Sequence, residues 1–282
     1  VFVRSGAGAW SQQAYVKASN TGASDYYGAS LALDDDGNTL VVSGSWESSV
    51  ATGVGGNQAD DSAQLSGAVY AYTRSGAGVW SQQAYIKASN TEAYDRFGLS
   101  LALSGDGNTM VAGAFGENSG ATGVNGDQAF GAVTLAGAAY VFVRDGGGAW
   151  SQQAYVKASN TAAEDRFGDT VALSDDGNVL AVSSYYEDGS STGLDGNQAD
   201  NTAASAGAVY VLARDGAGVW SQRAYVKASN TGANDQLGYG VALSEDGHVL
   251  AVGAFAESSN ATGVGGDQAN DAAGGSGAVY LY

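Results

Sequence analysis

The chain has no cysteine and no proline, and only one methionine and one histidine among 282 residues. Without cysteine there are no disulfides, no thiolate metal sites and no thiol nucleophile. The compartment stays open on that ground alone. No run of ~18 apolar residues is present, which excludes a membrane-spanning helix. Basic residues are scarce, 11 Lys and Arg against 29 Asp and Glu, for a formal net charge of -18. That balance argues against nucleic acid and against insertion into or docking on an anionic membrane, because both partners need clustered cations. Familiar catalytic signatures (GxSxG, HExxH, GxxxxGK[ST]) are missing. The lone His248 lies in a turn sequence, "SEDGHV", and reads as an exposed turn residue. The chain opens at Val1 within an apparent strand, with neither an initiator methionine nor a signal peptide, and reads as a processed or excised piece of a longer product.

What is present is a repeat. Trp10, Trp80, Trp150 and Trp220 follow one another at intervals of 70 residues. Glycine is abundant, 44 residues, and no segment keeps a helical period. Within the unit 97–158, "FGLSLAL" alternates leucines with small residues and "TMVAGA" follows an Asp-Gly turn. A long Gly/Asn/Asp/Ala loop then leads to "GAAYVFVR" and, after "DGGG", to "WSQQAYVKAS". This predicts an all-β chain built from four-stranded antiparallel meanders. Small residues on the first strands and aromatics on the later ones suit the taper of a β-propeller blade. The expected blades are 28–89, 98–159, 168–229 and 238–282 of one propeller domain, the last lacking its fourth strand and completed by residues 10–19. A closed four-bladed ring, an arc of a larger ring and strand donation to a neighbouring chain all satisfy the pattern.

The pairs Phe97-Gly98 and Phe167-Gly168, with Gly113-Ala114-Phe115 and Gly253-Ala254-Phe255, carry a family resemblance. The chain resembles the FG-GAP repeats of integrin α-subunit propellers and of related bacterial extracellular proteins. Two units depart from the pattern, with Tyr27-Gly28 and Leu237-Gly238 in the first element and "SGS" (43–45) and "SSY" (183–185) in the second. The resemblance implies an extracellular or cell-surface β-propeller. Many members carry a calcium loop between the first two strands, but here that link is as short as "SGDGNT", too short to wrap the ion.

Candidate sites follow from the repeat. The ~20-residue loops each begin with a glutamate, and loops of that length are usually functional or pinned. Their oxygen donors make a tentative Ca2+ set: Glu47, Asn57, Asp60 and Asp61; Glu117 and Asp127; Glu187, Asn197 and Asp200; Glu257, Asp267 and Asp271. The second copy departs at Phe130 and Gly131. Asx turns within the loops are the alternative use of the same side chains. Trp46, Phe115, Tyr185 and Phe255 stand at the loop entrances as tentative ligand-binding aromatics. The only four lysines, Lys17, Lys87, Lys157 and Lys227, share one repeated position. They are expected to pair with Asp25, Asp95, Asp165 and Asp235. These features predict a non-enzymatic extracellular adhesion or scaffold propeller, with a protein or glycan surface ligand or self-association. A multivalent lectin and a filament subunit assembled by strand exchange are the alternatives.

Overall fold

The computed structural model describes residues 1–129, 131 and 133–282. Phe130, noted above as a departure of the second copy, lies outside the described residues. The fold is all-β, and no helix occurs among the described residues. Strands β1 (Phe2–Arg4) and β2 (Trp10–Gln12) form a small hairpin of their own. Three four-stranded antiparallel sheets follow. The first contains β3 (Tyr27–Leu33), β4 (Thr39–Gly44), β5 (Ala68–Arg74) and β6 (Trp80–Ile86). The second contains β7 (Leu101–Leu103), β8 (Thr109–Ala114), β9 (Ala138–Arg144) and β10 (Trp150–Val156). The third contains β11 (Val171–Leu173), β12 (Val179–Ser184), β13 (Ala208–Arg214) and β14 (Trp220–Val226). The last sheet has three strands, β15 (Leu237–Leu243), β16 (Leu250–Ala254) and β17 (Ala278–Leu281). Residues 10–19 do not join it within this chain; β2 pairs with β1 instead.

The sheets are meanders because each connection is a tight turn or a pinned loop. In the turn after β7, Asp106 accepts from the Asn108 amide (2.9 Å), Ser104 Oγ accepts from the Thr109 amide (2.9 Å), and Gly107 takes φ +67°. The short "SGDGNT" acids are therefore turn caps. The outer strand carries a bulge in every complete sheet, at Gln83, Gln153 and Arg223. The bulge aims Gln153 at the next sheet, where its Oε1 accepts from Trp220 Nε1 at 2.9 Å.

The core lies between sheets. Val69, Phe97, Tyr140 and Phe142 pack across the first and second, and Val141, Phe167, Tyr210 and Leu212 across the second and third. The innermost strands touch in chain order, β3 to β7 to β11 to β15. Close approach of their backbones requires glycine. A Cβ on Gly113 would lie 1.9 Å from the Gly168 carbonyl oxygen, and one on Gly137 2.0 Å from that of Phe167. The Phe-Gly element bridges two units: Phe97 N donates to Ser66 O of the preceding unit at 2.9 Å, and Gly98 N to Gly113 O of its own sheet at 2.9 Å.

Gly113→Ala is expected to destabilise the fold by at least ~2 kcal/mol, as overpacking against backbone does. Gly146→Ala, where an added Cβ meets nothing within 4 Å, should be close to neutral. Urea midpoints of the two variants measure the difference.

Candidate functional site

The lysines anchor one repeated node. Lys87 Nζ lies 2.9 Å from Glu47 Oε2 and 2.7 Å from Ser66 Oγ, and both charged side chains are buried. Lys157–Glu117 (2.7 Å) and Lys227–Glu187 (2.8 Å) repeat the pair. The other carboxylate oxygen accepts from Tyr85 Oη (2.8 Å) and from Asn20 Nδ2 (2.9 Å), and Asn20 in turn accepts from Tyr70 Oη (2.6 Å). Burial pulls each lysine down and its glutamate pulls it back up. A pair this enclosed survives because its remaining donors and acceptors are filled.

This corrects the expected Lys–Asp pairing. The aspartates cap their own turns: Asp25, Asp95, Asp165 and Asp235 accept from the amides of Gly22, Glu92, Ala162 and Gly232 at 2.6–3.0 Å. The lysine reaches across its own sheet to the loop glutamate, which backbone spacing alone did not reveal. Burial, with Glu117 adding to it, pushes the Asp95 carboxyl up to about 8, and its Oδ1 has no hydrogen-bond partner. Burial likewise pushes Asp165 to about 7.

The other loop oxygens are dispersed. Asn57, Asp127, Asn197 and Asp267 each accept from the amide two residues on, at 2.9–3.1 Å. Asp60 and Asp200 do the same toward Ser62 and Thr202. Asp61 lies beside Asp25 in a shallow recess, and Asp271 is exposed. No group of three or more His, Asp or Glu placed to hold a metal occurs among the described residues. The loops are pinned by the outer strands instead, through Ser19 to Gln58 and its three equivalents.

The predicted aromatics do converge, in company the sequence reading missed. At the strand ends where β4, β8, β12 and β16 enter the long loops, rings and guanidinium groups form one ladder. Tyr26 packs edge-on against Trp46 with centroids 4.2 Å apart. Arg96 lies 4.9 Å from the Trp46 ring and 5.6 Å from Phe115; Arg166 lies 5.4 Å from Phe115 and 4.5 Å from Tyr186. Tyr186, Tyr185, Tyr239 and Phe255 continue it at 4.5, 5.6 and 4.7 Å. Beneath its middle sits Asp169, whose Oδ2 is buried without a partner. Burial pushes this carboxyl up to about 7, against the pull of Arg166 and the Tyr185 hydroxyl. The signal for these residues was there, as departures from the repeat: Tyr26, Arg96, Arg166 and Gln236 at one position, Ala29, Leu99, Asp169 and Tyr239 at another.

Lys157→Met should cost about 3–5 kcal/mol by leaving Glu117 buried and unpaired, and Lys157→Met with Glu117→Gln should cost clearly less than the sum of the single changes. A double-mutant cycle in urea reads the coupling. The Asp95 proton is held to about pH 8 when folded but leaves near 3.8 when the chain unfolds. Its contribution to stability is therefore full below about pH 4 and is lost as pH rises to about 8. Asp95→Asn should flatten the fall of the thermal midpoint across that window.

The family model described as FG-GAP repeat matches residues 80–142 and 150–212. No curated protein matches the chain by sequence. Among solved structures, the periplasmic gluconolactonase PpgL of Pseudomonas aeruginosa is similar at 17% identity and a TM-score of 0.37, over 89% of this chain and 70% of that one. A proposed 6-phosphogluconolactonase of Bacteroides uniformis is similar at 10% identity and a TM-score of 0.37, over 85% and 69%. These two corrections bear on function. The expectation of a non-enzymatic adhesion or scaffold module, with its lectin and filament alternatives, does not stand beside solved structures named as lactonases. The exclusion of catalysis from missing motifs falls with it. At this distance the likeness carries no reaction over to this chain. The matched stretches cover a little under half of the chain, and residues 80–142 and 150–212 carry FG-GAP repeats.

Proposed function

We propose that the sheets are blades of a β-propeller and that the Arg–aromatic ladder is its ligand rim, taking a small organic carboxylate. One observation carries this reading: where the other units hold Ala29, Leu99 and Tyr239, the third holds Asp169, whose Oδ2 is buried and unpartnered beside Arg166 and Tyr185. Arg96 and Arg166 are stacked between rings, which fixes their planes and leaves guanidinium edges as donors. The arginines that end β5, β9 and β13 lie at the opposite end of the strands, beside the short hairpins. In a chain of net charge -18, a small anion suits this rim better than a polyanion, which the overall field repels. A neutral Asp169 donates to a ligand oxygen; an ionised one neutralises Arg166 and repels the ligand.

Calorimetric titration with a panel of short mono- and dicarboxylates tests this. Binding should be tighter below about pH 7, where Asp169 is protonated, and should weaken at least tenfold in Arg166→Gln, about the value of one charge-assisted hydrogen bond. Asp169→Asn should bind with little pH dependence. Absence of binding across the panel at pH 5.5, or binding indifferent to Arg166, overturns the reading.

A further inference from the structure

Two guanidinium groups share one ring. Arg96 Cζ lies 5.6 Å from the centre of the Phe115 ring, and Arg166 Cζ lies 5.4 Å from it. Both cations are therefore within 5.6 Å of a single point, and no more than twice that distance separates them. Arg96 also lies 4.9 Å from Trp46, and Arg166 4.5 Å from Tyr186. Trp46, Arg96, Phe115, Arg166 and Tyr186 are all half-buried, so the row is held in place and still open to solvent. A guanidinium packed on aromatic faces reaches an acceptor through its N–H edge.

The two cations keep different company. Arg166 has Asp169 and the Tyr185 hydroxyl beside it. Arg96 has Leu99 at the position that Asp169 takes in the next unit, and it makes no ion pair among the described residues. The other strand-end arginines are occupied: Arg74, Arg144 and Arg214 donate to Asn38, Asn108 and Asn178 at 2.9–3.1 Å. Acids outnumber bases in this chain by 29 to 11, so a cation left without a carboxylate is not short of candidates. Its donors are kept for something else.

We propose, on the reading of this row as a carboxylate site, that its ligand is a dicarboxylate with an apolar middle, bound by one end at Arg96 and by the other at Arg166. Each guanidinium offers the paired donors that match a carboxylate. Phe115 lies between them and offers apolar surface to the spacer, where a hydroxylated spacer would lose water without gaining a partner. Once one carboxylate is bound, the second binds as an intramolecular group. That gain is greatest when the spacer matches the span and vanishes when it is too short. Arg96 is thus a specificity-determining residue: it selects diacids over monoacids, and its spacing from Arg166 selects chain length. The two ends are unequal, because Asp169 stands at the Arg166 end alone.

Calorimetry with succinate, adipate, suberate and sebacate, and with the monomethyl ester of each, tests the assignment. Titrations are run at about pH 6, where aliphatic carboxyls are mostly ionised and Asp169 keeps its proton. Affinity should peak at one chain length, and that diacid should bind at least about tenfold tighter than its half-ester, the loss expected for one charge-assisted contact. Arg96→Gln should bring the diacid down to the level of its half-ester. The variant should fold, because Gln236 occupies the equivalent position with the same φ of 56°. Diacids that bind no tighter than their half-esters at any length overturn the proposal, as does a diacid preference that survives Arg96→Gln. In either case, binding that still requires Arg166 leaves the carboxylate reading standing. No binding by any diacid or half-ester overturns both.

Discussion

A buried ammonium facing a buried carboxylate organises this molecule. The Lys–Glu pair ties the end of each outer strand to the start of the long loop of its own sheet, and asparagine from the preceding connection closes the same carboxylate. Three consecutive segments of chain therefore meet at one charge pair. Such a pair contributes little net stability over an apolar substitute, since desolvation offsets attraction. What it enforces is register. A strand shifted by one residue would bury an ammonium without its acid, and the loop would lose its anchor.

Glycine performs the complementary task between sheets. Where an inner strand meets the preceding sheet, backbone lies against backbone with no room for a methyl group. The electrostatic node fixes each complete sheet, and the glycine contacts fix the step from one sheet to the next. The composition follows from this division: a chain rich in glycine, with its few lysines all at one position.

Much of the fold was legible because repetition amplifies weak signals. Asp-Gly turns, β-branched strands and the 70-residue interval together place the three complete meanders, and the long loops read as functional or pinned. Strand limits were less legible: β7 and β11 span three residues, and the Phe-Gly segment before them divides its backbone bonds between the preceding unit and its own sheet. The partner of the lysines was missed because two acids recur at the same interval, and only side-chain direction distinguishes Glu47 from Asp95. The row of rings and guanidinium groups was half read. Its aromatics stood out as a repeated type, whereas Arg96, Arg166 and Asp169 matter as departures from the repeat.

The residues after the turn-capping aspartates, Tyr26, Arg96, Arg166 and Gln236, share a left-handed backbone at φ 50–57°. For the last three, the amide is pinned by a carbonyl of the preceding loop, from Leu65, Leu135 or Ser205. The backbone there is set by its surroundings, so the side chain is free to differ. Three sheets thus carry one side-chain position on a backbone held by its neighbours, and exchanging the residue there changes the row of rings and guanidinium groups while leaving the charge nodes and the contacts between sheets as they are.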